Sequence, residues 1–580
     1  MGYLPALNDL NTGRQMISQF GGYNHNPRIA DNEFDGMKNM SSSFYPVLSP
    51  RQKRGEFHPL TKPNGLAAKT NLFWVDGTTL YHNGVSVPGL VLQDNMKQFV
   101  SMGAYLLIWP DKVFYNTADQ TFGNLEASIT IASTVTCTLT KADGTDYVTP
   151  TVGDTAPADP VDGTLWLDTS ATTHVLKQYS GASASWVPVA TTYVKISAEN
   201  IGSLFSQYDG VTISGLGTAS LNGDVIIQAV SNDYIVIIGI LDATATQEGG
   251  VTVSRTVPDM DFLTECENRV WGCSSEKHEI YACKLGDPKN WHVFMNLSTD
   301  SYAATVGSDG DFTGACTHLG AVLFFKEDYM HKVAGNKPSN YQVSGIACRG
   351  VEKGSENSLA VVNERLYYKS RTGICAYDGS IPGEISAPLG DVRYRSGVGG
   401  ALGNKYYISM ADTAGTYHLF VYDTIAGMWH REDNTHAMQF ATHEGELIFI
   451  DADTKWIRTV RGRLSVHEGG VQYDIENGHV EDDVEWMIET GEIGLDLADH
   501  KYVSKFQIRM EIGTPQEIQI AFRYDGSVDW VIQAALAFHA LRTISIPIIP
   551  RRCEHMRMRI SGTGDFKIFS ITKTIEESEI

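Results

Sequence analysis

The sequence predicts an all-β protein: a β-propeller with an extended N-terminal arm, an inserted β-rich domain and a C-terminal β-sandwich. Three observations lead there. A strand-turn-strand unit recurs, reading LFWVDGTTLYHNG from Leu72, AYLLIWPDKVFYN from Ala104, NRVWGCSSEKHEIYAC from Asn268, AVLFFKEDYMHKVAG from Ala321, ERLYYKSRTGICAYDG from Glu364, NKYYISMADTAGTYHLFVYD from Asn404 and GELIFIDADTKWIRTV from Gly445. The last three copies start roughly 40 residues apart, the period of a four-stranded propeller blade. Val, Ile, Thr and Tyr dominate the periodic segments, 55 glycines suit many tight turns, and helical periodicity is scarce. A unit of this kind cannot bury both faces alone, so copies stack radially and share cores.

The chain has 580 residues, too many for one core, since single cores rarely grow past about 250–300 residues. Residues 1–65 are rich in Asn, Gly, Pro and Ser without a sustained period, and read as an extended arm that gains its burial from a neighbouring subunit. Residues 66–125 hold the first two units and read as the first part of the propeller. Across 126–258 the texture changes to Thr, Ala, Gly and Asp with short apolar strands, which reads as an inserted β-rich domain. Within it, Pro-Asp-Gly turns separate strands carrying Trp166 and Trp186. The repeat resumes over 259–465. Residues 466–580 alternate clearly in KFQIRMEIG, EIQIAFRYDG, TISIPIIP and HMRMRISGTG, the pattern of a β-sandwich.

With 45 basic and 68 acidic residues the formal net charge is −23. Phosphate binding needs Lys or Arg to release counterions, so this chain is a poor general binder of nucleic acid. Repulsion does suit a passage through which DNA slides without sticking, and Asp482, Asp483, Glu485 and Glu489 are candidates for its wall. The start, MGYLPALNDLNTGRQ, has no basic segment leading into an apolar stretch, so no secretory signal or membrane anchor is expected. None of the eight cysteines forms a C-x-x-C pair, and buried, reduced thiols are expected.

The search for chemistry finds near-motifs that fail. His443-Glu444 and His467-Glu468 lack the second His of a zinc-protease pattern, Asp451-Ala452-Asp453 lacks the Gly and Glu of a calcium loop, and the glycine run 397–403 misses the dinucleotide spacing. Carboxylate pairs such as Asp309 and Asp311 are expected by chance in so acidic a chain. No catalytic, metal or cofactor site is expected, and the chain reads as no enzyme. Two surface features stand out. Arg51, Lys53 and Arg54 form a basic cluster that suits docking to an acidic neighbour. Trp166, Tyr179 and Trp186 suit either a sugar-stacking platform or the core of a small hairpin module.

The segment FGGYNHNPRIADNEFDGMKNMSSSFYPVLSPRQKRG, Phe20 to Gly55, resembles the opening of the propeller proteins in short-tailed bacteriophage tails: the tail nozzle or tail tubular B proteins and the related tail stabilisation proteins. The matching positions are Gly21, Gly22, Asn39, Arg51, Arg54 and Gly55. Two further stretches are similar to phage tail segments, NRVWGCSSEKHEIYACKLGDPKNW from Asn268 to Trp291 and the module at 153–189. The resemblance implies a virion structural protein made in the host bacterial cytoplasm. It implies a homo-oligomeric ring, a hexamer by preference, below the portal and adaptor, contacting tail fibre proteins and passing viral DNA without specific binding. Two other readings compete: a tail-tip or receptor-binding protein recognising host glycans through the insertion, and a propeller enzyme acting on polysaccharide.

Overall fold

The computed structural model describes residues 12–577 except 464, 469–470, 475–478, 495–500, 514–515, 539 and 549–550. Apart from four single-turn 3₁₀ segments, the regular structure among these residues is all strand. Seven antiparallel sheets form the blades of one propeller. We number them I (63–91), II (98–124), III (262–305), IV (314–347), V (360–384), VI (395–431) and VII (437–459).

The second strand of each blade explains the recurring apolar run. These strands are Leu72–Asp76, Tyr105–Trp109, Arg269–Ser274, Ala321–Lys326, Arg365–Lys369, Lys405–Ala411 and Glu446–Asp451, and nearly every residue in them is buried. Successive side chains point to opposite faces of a strand, and each blade has a neighbour on both faces. Trp74 therefore packs between blades VII and I while Phe73 packs between I and II; Phe324 faces blade III while Phe325 faces blade V. Both faces being covered, the strand reads as continuous apolar sequence rather than alternation. All seven blade-to-blade seams hold such a core.

Ring closure comes from the N-terminal side. Blade VII takes its fourth strand from Gly55–Pro59, which pairs antiparallel with Trp456–Thr459, and the chain then runs directly into blade I. His479–Val480 lies against the outer edge of the same strand.

Between blades II and III the chain leaves the propeller and returns. Ala127 pairs with Arg255, so the two ends of the insertion are adjacent. Its four-stranded and five-stranded sheets enclose a core that includes Val135, Ile196, Ile213, Ile235 and Val253. Inside it, Thr140 pairs with Tyr193, and a smaller four-stranded sheet over 151–188 is inserted between them.

Residues 485–577 build two sheets packed face to face, with Phe506, Ile508, Ile520, Phe522, Ile560 and Ile568 between them. The expected arm is corrected here. Thr12–Ile17 pairs with Phe566–Glu577 in one sheet, and Glu33–Lys38 pairs with Glu485–Thr490 in the other. Phe20, Tyr23, Phe34, Met37, Met40 and Leu48 are all buried, in a core that runs on into blades V and VI. These six side chains are buried by the chain's own C-terminal strands and blades and need no neighbouring subunit, while Met16, Phe44 and Tyr45 of the same segment are exposed.

Candidate functional site

The residues that carry the phage-tail resemblance converge on one place, the joint between propeller and sandwich. Gly22 has φ +84°, and a Cβ there would stand 2.5 Å from the carbonyl oxygen of Trp429, so only glycine lets the N-terminal strand lie against blade VI. Asn39 also has positive φ, 56°, a conformation Asn tolerates. Its N–H donates to Glu432 O in blade VI at 2.6 Å, its Nδ2 donates to Glu485 O in the sandwich at 2.7 Å, and its Oδ1 accepts from Arg51 Nε at 2.8 Å.

Two arginines complete the joint. Arg51 grips Glu481 with both terminal nitrogens, at 2.6 and 2.9 Å. Arg54 donates to Glu432 Oε2 at 2.6 Å, to Asp433 Oδ2 at 2.7 Å and to Thr435 Oγ1 at 2.6 Å. The Arg54 and Glu432 side chains are each only 3% exposed. Burial acts against the Asp433 carboxylate, but the Arg54 and Arg51 charges outweigh it and hold its pKa at about 2. Burial likewise opposes the charge on Arg54, and Asp433 and Glu432 outweigh that and raise its pKa. The two arginines thus face inward and are used by this chain's own acids, which corrects their assignment to a docking surface. Lys53, between them, points outward to Asp483 at 3.1 Å.

The other sequence candidates separate by burial. Trp166 is buried, its indole N–H donating to Gly153 O at 2.9 Å, and Trp186 packs edge-on to both Trp166 and Tyr179 at 5.4 Å. The trio is therefore built as a hairpin core, with Tyr179 and Trp186 half-buried at its outer side. Of the acids expected on a channel wall, Glu489 is buried among Arg523, Arg557 and Arg559, Glu485 pairs with Lys38 at 2.7 Å, and Asp482 is exposed.

At the propeller axis, Gln439 of blade VII accepts from Leu66 N in blade I and donates to Lys97 O beside blade II. The adjoining cavity, about 320 Å³, is lined by apolar, amide and hydroxyl side chains such as Phe99, Gln98, Ser101 and Thr442, with no titratable group. Acid–base chemistry has no agent there. The glycine run 397–403 lies in the inner strand of blade VI, where a Cβ at Gly400 would stand 2.7 Å from Phe440 Cβ. Close approach of neighbouring blades is its physical reason.

Asn290, in the turn after the third blade strand, is a joint that the sequence did not reveal. It donates to Asp209 Oδ1 at 2.8 Å and accepts from Gly210 N at 2.9 Å, tying the insertion to blade III, and the Arg255–Asp209 ion pair is buried beside it. Its partners lie about 80 residues away in sequence, beyond any local signal.

No protein-family model and no curated protein matches the sequence. Among solved structures the chain is similar to Kluyveromyces lactis Hsv2, at 14% identity over 34% of this chain and 60% of that chain, TM-score 0.24. It is similar to the exo-beta-1,3-galactanase of Phanerochaete chrysosporium, at 8% identity over 53% of this chain and 92% of that one, TM-score 0.20. It is also similar to the phage phi92 endosialidase, at 10% identity over 73% and 68% of the two chains, TM-score 0.23. Enzymes recur among such similar structures, and the expectation that this chain is no enzyme is corrected accordingly. At these TM-scores the likeness assigns no reaction, substrate or partner.

Proposed function

We propose that this chain is a structural component of a bacteriophage tail, a nozzle or tail-hub protein forming part of the DNA exit channel and a platform for other tail proteins. The observation that carries the reading is the joint. Gly22, Asn39, Arg51 and Arg54 match the phage-tail opening, and each holds a position in one contact region that its residue type suits. A signature made of loose turn residues carries little weight; one whose members tie propeller to sandwich carries more. A propeller locked to a sandwich through a shared core suits a load-bearing wall, and a net charge of −23 suits passing DNA. In this reading identical subunits form a ring, a hexamer by preference, in contact with portal or adaptor and fibre proteins, and the insertion projects from it.

Labelling the particle tests it. Gold-conjugated antibody raised against this chain should mark the tail in electron micrographs, and the purified protein should assemble into rings. Label on the capsid, or on no part of the particle, overturns the reading. A second reading, glycan recognition by the 151–188 module, now rests on Tyr179 and Trp186 alone. Binding to host envelope glycan that is lost in Trp186→Ala would favour it over the nozzle.

A further inference from the structure

A cleft of about 1010 Å³ opens between blades III and IV. Its floor is the loop 306–313, which joins the outer strand of blade III, Tyr302–Thr305, to the inner strand of blade IV, Gly314–His318. Ser308 in this loop is held from two sides. Its Oγ lies 2.7 Å from His331 Nε2, and its carbonyl oxygen accepts from Lys326 Nζ at 2.6 Å. His331 is 5% exposed and Lys326 2%, and they stand on adjacent strands of blade IV. Lys326 makes no ion pair among the described residues; its ammonium lies 4.9 Å over the Phe312 ring. The backbone N–H groups from Gly307 to Asp311 find no acceptor among the described residues.

We propose that Ser308 is a nucleophile and His331 its general base, in a site that cleaves small neutral carboxylic esters. The contact is within hydrogen-bond reach of proton transfer. Burial, with the Lys326 charge adding to it, lowers the imidazole pKa and favours the neutral ring, whose Nδ1–H tautomer leaves Nε2 to accept from the hydroxyl. As Oγ attacks the acyl carbon, its proton passes to Nε2, and the N–H groups of the loop that carries Ser308 are the donors available to the oxyanion developing on the substrate. The imidazolium returns the proton to the departing alcohol. Water then attacks the acyl-serine by the same route, releasing the carboxylic acid and restoring Ser308. The cleft also carries Asp309, Asp311, Glu327 and Asp328 against Lys326 and Lys353, the latter paired with Asp311 at 2.8 Å, and this excess of acids disfavours an anionic acyl group. No G-x-S-x-G surrounds Ser308, and His331 comes from the next blade, so sequence patterns miss the pair.

The test uses the full chain and a fluorophosphonate probe, read by mass spectrometry, with p-nitrophenyl acetate as a second substrate. The expected result is one adduct, on Ser308, in native but not in heat-unfolded protein. Ester turnover should fall about 100-fold in Ser308→Ala. A His331→Ala variant with a wild-type melting curve should lose turnover and regain part of it in added imidazole. Native protein that shows no Ser308 adduct, or a folded Ser308→Ala variant that keeps its turnover, overturns the proposal. Both readouts are independent of where the chain sits in a particle.

Discussion

Arg54 and Lys53 are adjacent in sequence and differ in what surrounds them. The Arg54 side chain is 3% exposed and faces Glu432, also 3% exposed, whereas Lys53 and Asp483 are 40% and 57% exposed. Removing one partner of a buried ion pair leaves the other charged and desolvated, so Arg54→Met should cost about 3–5 kcal/mol. Lys53→Ala should cost less than about 1 kcal/mol, because water screens an exposed pair. Urea-unfolding midpoints measure both, and similar losses for the two would show that the joint is not the buried network described. The sequence shows three basic residues within four positions but not which way they face. The acids that fix Arg51 and Arg54 lie roughly 380 to 430 positions further on, so no local pattern marks them. Trp166 shows the same limit: its residue type suits a platform and a core equally, and its burial and hydrogen bond to Gly153 O separate the two.

Among the elements, the second strands were legible because burial on both faces leaves an unbroken apolar run, and all seven copies of the repeat lie in blades. The strands at 12–41 were not. Thr12–Ile17 and Glu33–Lys38 have C-terminal partners about 450 residues away or more, and a short strand such as Gly22–Tyr23 has no room to show a period. Gly55–Pro59 was hidden for the same reason, although it closes the ring. The two connections lead to opposite expectations. Replacing residues 128–254 by an Asn-Gly turn joins strands already paired at Ala127 and Arg255, so the propeller should stay folded. Deleting residues 1–59 strips blade VII of its fourth strand and the sandwich of strands in both sheets, and should leave no cooperative thermal transition. Scanning calorimetry distinguishes the two deletions. Loss of the transition in the first would mean that the insertion supports the ring rather than hanging from it.

For the whole molecule, net charge was legible as a number, while its direction was not, since an acid such as Glu489 proves to be buried among arginines. Buried histidines make a sharper whole-molecule statement. His430 is 3% exposed, and burial, with Lys405 adding to it, lowers its pKa from 6.5 to about 3. Burial lowers His58, His292, His318 and His331 in the same direction. His25 is shifted upward, by its hydrogen bond to Asp35. A histidine with a depressed folded pKa binds its proton more readily when unfolded. Its contribution is therefore complete above 6.5 and is lost as pH falls from there toward the folded value. By pH 5, His430 alone should account for about 2 kcal/mol of lost stability. The melting temperature should accordingly begin to fall below about pH 6.5, well above the range in which carboxylates such as Asp433 titrate. In His430→Gln the fall between pH 6.5 and 5 should be shallower, even where the variant is less stable at pH 7. A flat melting profile down to pH 4.5 in the wild type, or an unchanged slope in the variant, would show that these imidazoles keep access to water.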